Sequence, residues 1–177
     1  MFYFTNKQYI LFKIDMKMSK YWFWITGIFS IIAIFTALVA ENIFFLEPCS
    51  MCLKQRYPYY FIIVIFVLFL FINRFSLLWY FLMVQLASIY GLFYASWHVG
   101  IEQKILTGPS GCSGGLNFTT SIENLKEQIM QKSIVNCEEI VWSFFGISAA
   151  TLNVISFFII FLINLLYINK FYVQKKI

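Results

Sequence analysis

Four cysteines offer the most reactive chemistry in this sequence: Cys49, Cys52, Cys112 and Cys137. Cys49-Ser50-Met51-Cys52 is a C-x-x-C motif, a spacing at which two sulfurs close a small ring and reopen it with little backbone movement. Dithiols that cycle use this arrangement, and zinc sites share it. A zinc site would want a second C-x-x-C or a pair of histidines. Here Cys112 and Cys137 stand far apart and His98 is the single histidine, so no metal is assigned and the reading is redox. A static disulfide across the loop of about two dozen residues between Cys112 and Cys137 would stabilise the fold by roughly 3 kcal/mol. A redox pair would sit instead in mobile, accessible backbone, where an incoming thiolate can line up on one sulfur. Gly108-Pro109-Ser110-Gly111 before Cys112, and Gly114-Gly115 after it, favour the second reading.

Arg56 follows Cys52 by four positions. A guanidinium at the lip of a membrane is costly to hold in hydrocarbon and is a functional candidate by default. It could stabilise a thiolate at Cys49 or Cys52, or hydrogen-bond a carbonyl on which negative charge builds. It could equally anchor its helix, with Lys54, by snorkelling to the headgroups. His98 reads as a proton carrier or as an interfacial residue at a helix end. Gln85, Asn153 and Asn164 read as helix–helix contacts. Trp97, Trp142 and Tyr57 read as interfacial belt aromatics.

The elements that must position these groups are apolar and long. The 177 residues are 61% hydrophobic and 12% charged, with a mean hydropathy of +0.78, which places the chain in the membrane class. No basic stripe interleaves with polar surface, which argues against a nucleic-acid partner. Crossing about 30 Å of hydrocarbon takes roughly 17–25 helical residues. Four stretches qualify: about 21–40, 57–73, 75–97 and 148–169. The second is the shortest, and Pro58 is expected in its first turn, where a missing N–H costs nothing. Ser148 is the expected N-cap of the fourth. The reading is an all-α four-helix membrane bundle in a single domain, 21–169. An N-terminal segment, 1–20, and a tail, 170–177, flank it, and loops 41–56 and 98–147 lie on one side.

Charge sets the expected orientation. The side with both termini and the turn at Asn73-Arg74 carries eight Lys and Arg against Asp15 alone. The loop side carries five against seven acids. The positive-inside rule then puts the termini in the cytoplasm and both loops outside. All four cysteines fall in those loops and none in a helix, as expected for disulfide chemistry in an oxidising compartment. Thr120 to Glu123 has the form of a capping box, and Ile122, Leu125 and Ile129 follow at helical spacing. A short amphipathic helix on the outer surface is expected there. The first span is too long for a cleavable signal, and no small-x-small site follows it. Residues before Met16 or Met18 read as an extended gene start, a hypothesis that an intact mass retaining Met1 would remove.

Three segments carry a family resemblance. Glu47-Pro48-Cys49-x-x-Cys52-x-x-Gln55-Arg56-Tyr57-Pro58 resembles the first outer loop of the bacterial disulfide bond formation protein B (DsbB) family. Tyr94-x-x-x-His98-Val99-Gly100-x-Glu102-Gln103, then Gly108-Pro109-x-x-x-Cys112, resembles the start of its second loop. Cys137-Glu138-Glu139-x-x-Trp142-x-Phe144-x-Gly146-x-Ser148 resembles its end. The family usually has Pro near position 150 and Trp before Asn153; here Ala149-Ala150 and Leu152 stand instead.

The resemblance implies a quinone-reducing thiol oxidase of a bacterial inner membrane. A reduced, soluble thioredoxin-like oxidant of the DsbA type would attack the Cys112/Cys137 disulfide, first at Cys112. Electrons would pass to Cys49/Cys52 by internal exchange, and Cys52 would hand them to ubiquinone or menaquinone beside Arg56 and His98. Rival readings are a vitamin K epoxide reductase-like enzyme, a metal-binding tetraspan, and a structural or assembly-factor membrane protein with static disulfides. The first normally carries its C-x-x-C in a later helix. The last predicts that Cys49 and Cys52 do not cycle and that Arg56 tolerates Lys.

Overall fold

The computed structural model describes residues 6–72, 76–109, 112, 137–140, 142–144 and 146–176. Side chains of α1 are described from Met18 onward. The expected capping box and surface helix, the Asn73-Arg74 turn and the glycines flanking Cys112 at 111, 114 and 115 lie outside these residues.

Among the described residues four helices run up, down, up and down: α1 Asn6–Asn42, α2 Ser50–Phe71, α3 Leu77–Glu102 and α4 Ala149–Lys176. Each contains a stretch long and apolar enough to cross a membrane: Met18–Asn42, Ser50–Phe71, Leu77–Glu102 and Ala149–Val173. Large apolar side chains such as Ile32, Phe35, Val64, Leu86, Phe93 and Leu166 point outward, as lipid-facing surface requires.

The helices differ from the expected spans at their ends. α1 is continuous through the charged segment before Tyr21, where no proline interrupts it. α3 runs to Glu102, beyond the end expected near Trp97. α2 begins at Ser50, well before Tyr57. Cys49 is therefore its N-cap and Cys52 lies in its first turn, which corrects the expectation that no cysteine sits in a helix. The physical reason is local: the Cys49 sulfur accepts the backbone N–H of Cys52 at 3.2 Å, taking the place of the usual cap oxygen. Pro58 accordingly lies inside the helix, where its missing N–H deprives the Lys54 carbonyl of its usual partner. Ser148 caps α4 as expected, its Oγ accepting the Thr151 N–H at 3.2 Å and donating to Glu102 at 2.6 Å. Just before it, strands β1 Ser143–Phe144 and β2 Ile147–Ser148 pair antiparallel across a turn containing Gly146. Gly146 has φ +79°, a conformation that favours glycine.

Lipid is as apolar as the core, so helix association rests on close packing and polar contacts. Gly91 gives that close approach: a Cβ there would come within 2.6 Å of the buried Phe157 ring. Gln85 and Asn164 bond across α3 and α4 at 3.1 Å, and Thr26 bonds Tyr80 across α1 and α3 at 2.8 Å. α1 packs on α2, α2 on α3 and α3 on α4. α1 and α4 meet at the end where Trp22 stacks on Tyr167. At the opposite end a cavity of about 320 Å³ is lined from both helices.

Candidate functional site

The end of the bundle with that cavity also gathers the four cysteines. Cys112 and Cys137 form a disulfide with a Cα–Cα distance of 5.0 Å. Cys49 and Cys52 are free thiols with their sulfurs 2.7 Å apart. The two pairs share one buried cluster with Met51 and Ile101. Ser50, inside the C-x-x-C, reaches across, its Oγ 3.1 Å from the Cys112 sulfur and 3.7 Å from that of Cys137. Cysteine pairs distant in sequence are thus brought into one cluster, with Ser50 between them. Both sulfurs of the Cys112–Cys137 bond are buried, contrary to the accessible position expected of a redox pair. The packing of Met51 and Ile101 against them accounts for this.

His98 rises from the last turns of α3 and stands over Cys49, Nε2 to Sγ 3.6 Å. It is buried, with a polar partner at each ring nitrogen. The Cys49 thiol is held below its ordinary pKa. The hydrogen bond with the Cys52 sulfur is the largest cause; burial opposes it, and the His98 ring and the Cys52 backbone N–H assist. Cys49 also caps α2, where the positive end of the helix dipole favours a thiolate.

Cys52, Gln55, Arg56 and Tyr59 follow one another at i, i+3, i+4 and i+7, which puts them on one face of α2. All four line the cavity, together with His98. Arg56 is ion-paired with Glu41 at the end of α1, Nη1 to Oε2 2.7 Å. Its guanidinium is mostly covered, so simple snorkelling to solvent does not describe it. Gln55 is buried and faces His98 Nδ1 at 2.7 Å. Asn153 on α4 donates to Gln55 Oε1 at 2.6 Å and accepts from the Tyr59 hydroxyl at 3.0 Å.

The sequence alone did not point to Ser50, Tyr59 and Glu41 as members of this site. It suggested Asn153 as a helix–helix contact and Gln55 only as a letter in a motif. The helical spacing from Cys52 to Tyr59 was the signal that could have found Gln55 and Tyr59.

The sulfurs of Cys49 and Cys52 and a ring nitrogen of His98 lie within 4.8 Å of one another. Two thiolates on one tetrahedral zinc stand about 3.8 Å apart, given Zn–S bonds of about 2.3 Å. The observed 2.7 Å is closer to the S–S bond length of about 2.05 Å, so the geometry favours disulfide formation over sharing an ion.

Four membrane-spanning helices that hold a dithiol against a disulfide at one end define a class: membrane-embedded thiol–disulfide proteins. A model of the family described as disulfide bond formation protein DsbB matches residues 19–167, and the chain belongs to that oxidoreductase family. It is 28% identical over 131 residues to an uncharacterized protein of Rickettsia prowazekii (strain Madrid E), covering 71% of this chain and 74% of that one. It is 26% identical over 125 residues to the Disulfide bond formation protein B of Methylobacillus flagellatus, covering 68% and 75%. No solved structure matches the chain.

Proposed function

We propose that this protein oxidises a soluble thioredoxin-like partner of the DsbA type and passes the two electrons to a membrane quinone. The observation that carries this reading is the gathering of both cysteine pairs in one cluster at the end of the bundle, where Cys52 also lines the cavity. The partner's thiolate attacks Cys112, breaking the Cys112–Cys137 bond and forming a mixed disulfide. The partner's second thiolate then releases it in oxidised form and leaves Cys112 and Cys137 reduced. Because both sulfurs are buried, the Met51 and Ile101 cover must part for this attack. A thiolate of the reduced pair next opens the Cys49–Cys52 disulfide. Completing that exchange restores Cys112–Cys137 and leaves the C-x-x-C as a dithiol.

The cavity suits a quinone ring. Its size falls at the lower end of ligand sites, and it is mainly apolar with a few converging polar groups. Arg56 would hold a ring oxygen, His98 lines the same wall with its nitrogens turned to Gln55 and Cys49, and Phe29, Ile32 and Ala33 line an apolar approach along α1. A bound quinone supplies a two-electron, two-proton acceptor. Closing the Cys49–Cys52 bond releases two electrons and the Cys52 thiol proton toward that cavity; with Cys49 already a thiolate, the acceptor's second proton would come from water, and Arg56 would favour the negative charge that moves there.

Charge asymmetry supports an orientation with both termini in the cytoplasm and the cysteines in the periplasm. The decisive measurement is quinone reduction by the purified protein supplied with a reduced thioredoxin-like partner. Wild type should turn over, and Cys52→Ser and Cys112→Ser should each stop it. Wild type that consumes no quinone while both disulfides persist would favour the structural reading.

A further inference from the structure

Four polar side chains form an unbroken line from the bundle interior to the Cys49 sulfur, and every hydrogen bond in it runs the same way. The Tyr59 hydroxyl donates to Asn153 Oδ1 at 3.0 Å. Asn153 Nδ2 donates to Gln55 Oε1 at 2.6 Å. That leaves Gln55 Nε2 facing His98 Nδ1 at 2.7 Å. An amide nitrogen can only donate, so Nδ1 must accept and carries no proton. A neutral imidazole has one N–H, which is then on Nε2, the nitrogen 3.6 Å from the Cys49 sulfur.

We propose that Gln55 and Asn153 are positioning residues that fix His98 as the neutral Nε2–H tautomer and aim its proton at Cys49. The inference rests on the thiol-oxidase reading for its use, but not for its test. Its consequence is a direction for the proton. In this state His98 donates to the Cys49 sulfur and stabilises it as thiolate, the form that attacks and leaves in exchange. It cannot take the Cys49 proton through Nε2, because that position is filled.

The line has one other self-consistent state. If both amides turn over, Nδ1–H donates to Gln55 Oε1, Gln55 Nε2 donates to Asn153 Oδ1, and Asn153 Nδ2 donates to the Tyr59 oxygen. His98 Nε2 is then bare and accepts from a Cys49 thiol. One amide cannot turn alone without setting two donors or two acceptors face to face, which costs about 1–3 kcal/mol per buried unsatisfied group. Gln55 and Asn153 therefore couple the tautomer on α3 to a residue of α4 that never touches the ring.

His98 is the chain's single histidine, so ¹⁵N-histidine labelling of the full-length reduced protein in detergent gives one pair of ring resonances to assign. At mildly alkaline pH the wild type should show Nε2 protonated and Nδ1 bare. Gln55→Glu places an acceptor at Nδ1 and should move the proton there. Asn153→Leu releases the Gln55 amide and should populate both tautomers. Amides that merely packed helices together would leave the tautomer unchanged in both variants, and that result overturns the proposal. A wild type already carrying Nδ1–H overturns it too. If one variant does not fold, the other still decides. If wild type shows the expected tautomer yet reduces no quinone, the function proposed above fails while this inference stands. Quinone turnover with an unmoved tautomer means the opposite: the function stands and this inference fails.

Discussion

Cys49 is the residue on which most of the site converges. Its sulfur meets Cys52, His98 and the Cys52 backbone N–H, and these lower its pKa against a burial that would raise it. A lowered pKa means that thiolate persists as pH falls, so Cys49 should remain reactive below the ordinary thiol value of about 8.5. The causes also rank. In a Cys112→Ser/Cys137→Ser background, alkylation of Cys49 followed by mass spectrometry should show a midpoint below that value. Cys52→Ala removes the largest cause and should raise the midpoint furthest. His98→Ala should raise it less. Equal profiles in all three proteins would mean that the observed contacts do not govern the thiol. Cys52 differs in place, one turn before Arg56 on the cavity face of α2.

At the scale of elements, the contact between α3 and α4 holds His98 and Asn153 in register with α2. Gly91 makes that contact possible, because the Phe157 ring occupies the space a side chain would need. Phe157 in turn stacks on Tyr59, with ring centroids 4.6 Å apart, so a shift there reaches the polar line. Gly91→Ala should cost about 1–3 kcal/mol by overpacking. The loss should appear as a lower melting midpoint in detergent, and an unchanged midpoint would show that Phe157 has room to move. The four helices themselves were legible in the sequence, since long uncharged runs have few other uses and Ser148 announced its cap. The start of α2 was not. Charge at Lys54 and Arg56 suggested a loop, whereas Lys54 lies over the Tyr94 ring and Arg56 pairs with Glu41, so both charges are accommodated within the helix. The cysteine pairs were legible by type and spacing. The amide line was not, because Gln55 and Asn153 gain their role only from contacts between helices far apart in sequence.

At the scale of the whole molecule, the buried cysteine cluster and the cavity are adjoining but distinct places, with Cys52 belonging to both. Cys49, Cys112 and Cys137 lie in the buried cluster at the head of α2, with Ser50 reaching the Cys112 sulfur, while the cavity beside it is lined from all four helices. α1 contributes Ala33, Thr36, Ala37 and Ala40 to the cavity wall, all small residues. The two half-reactions should therefore be separable by substitution on α1, remote from every cysteine. Ala37→Trp adds a bulky indole to a wall residue and should fill much of the ring-sized space. Reduced partner should still deliver its electrons to the C-x-x-C of this variant at near wild-type rate, read by rapid quenching and thiol counting. Quinone reduction should fall at least tenfold, with the loss expressed mainly in KM if the ring still enters by another path. Parallel loss of both half-reactions would indicate a general distortion of the bundle. Unimpaired quinone reduction would place the acceptor elsewhere, because an indole and a quinone ring cannot share a cavity of about 320 Å³ that the Cys52, Arg56 and His98 side chains already narrow.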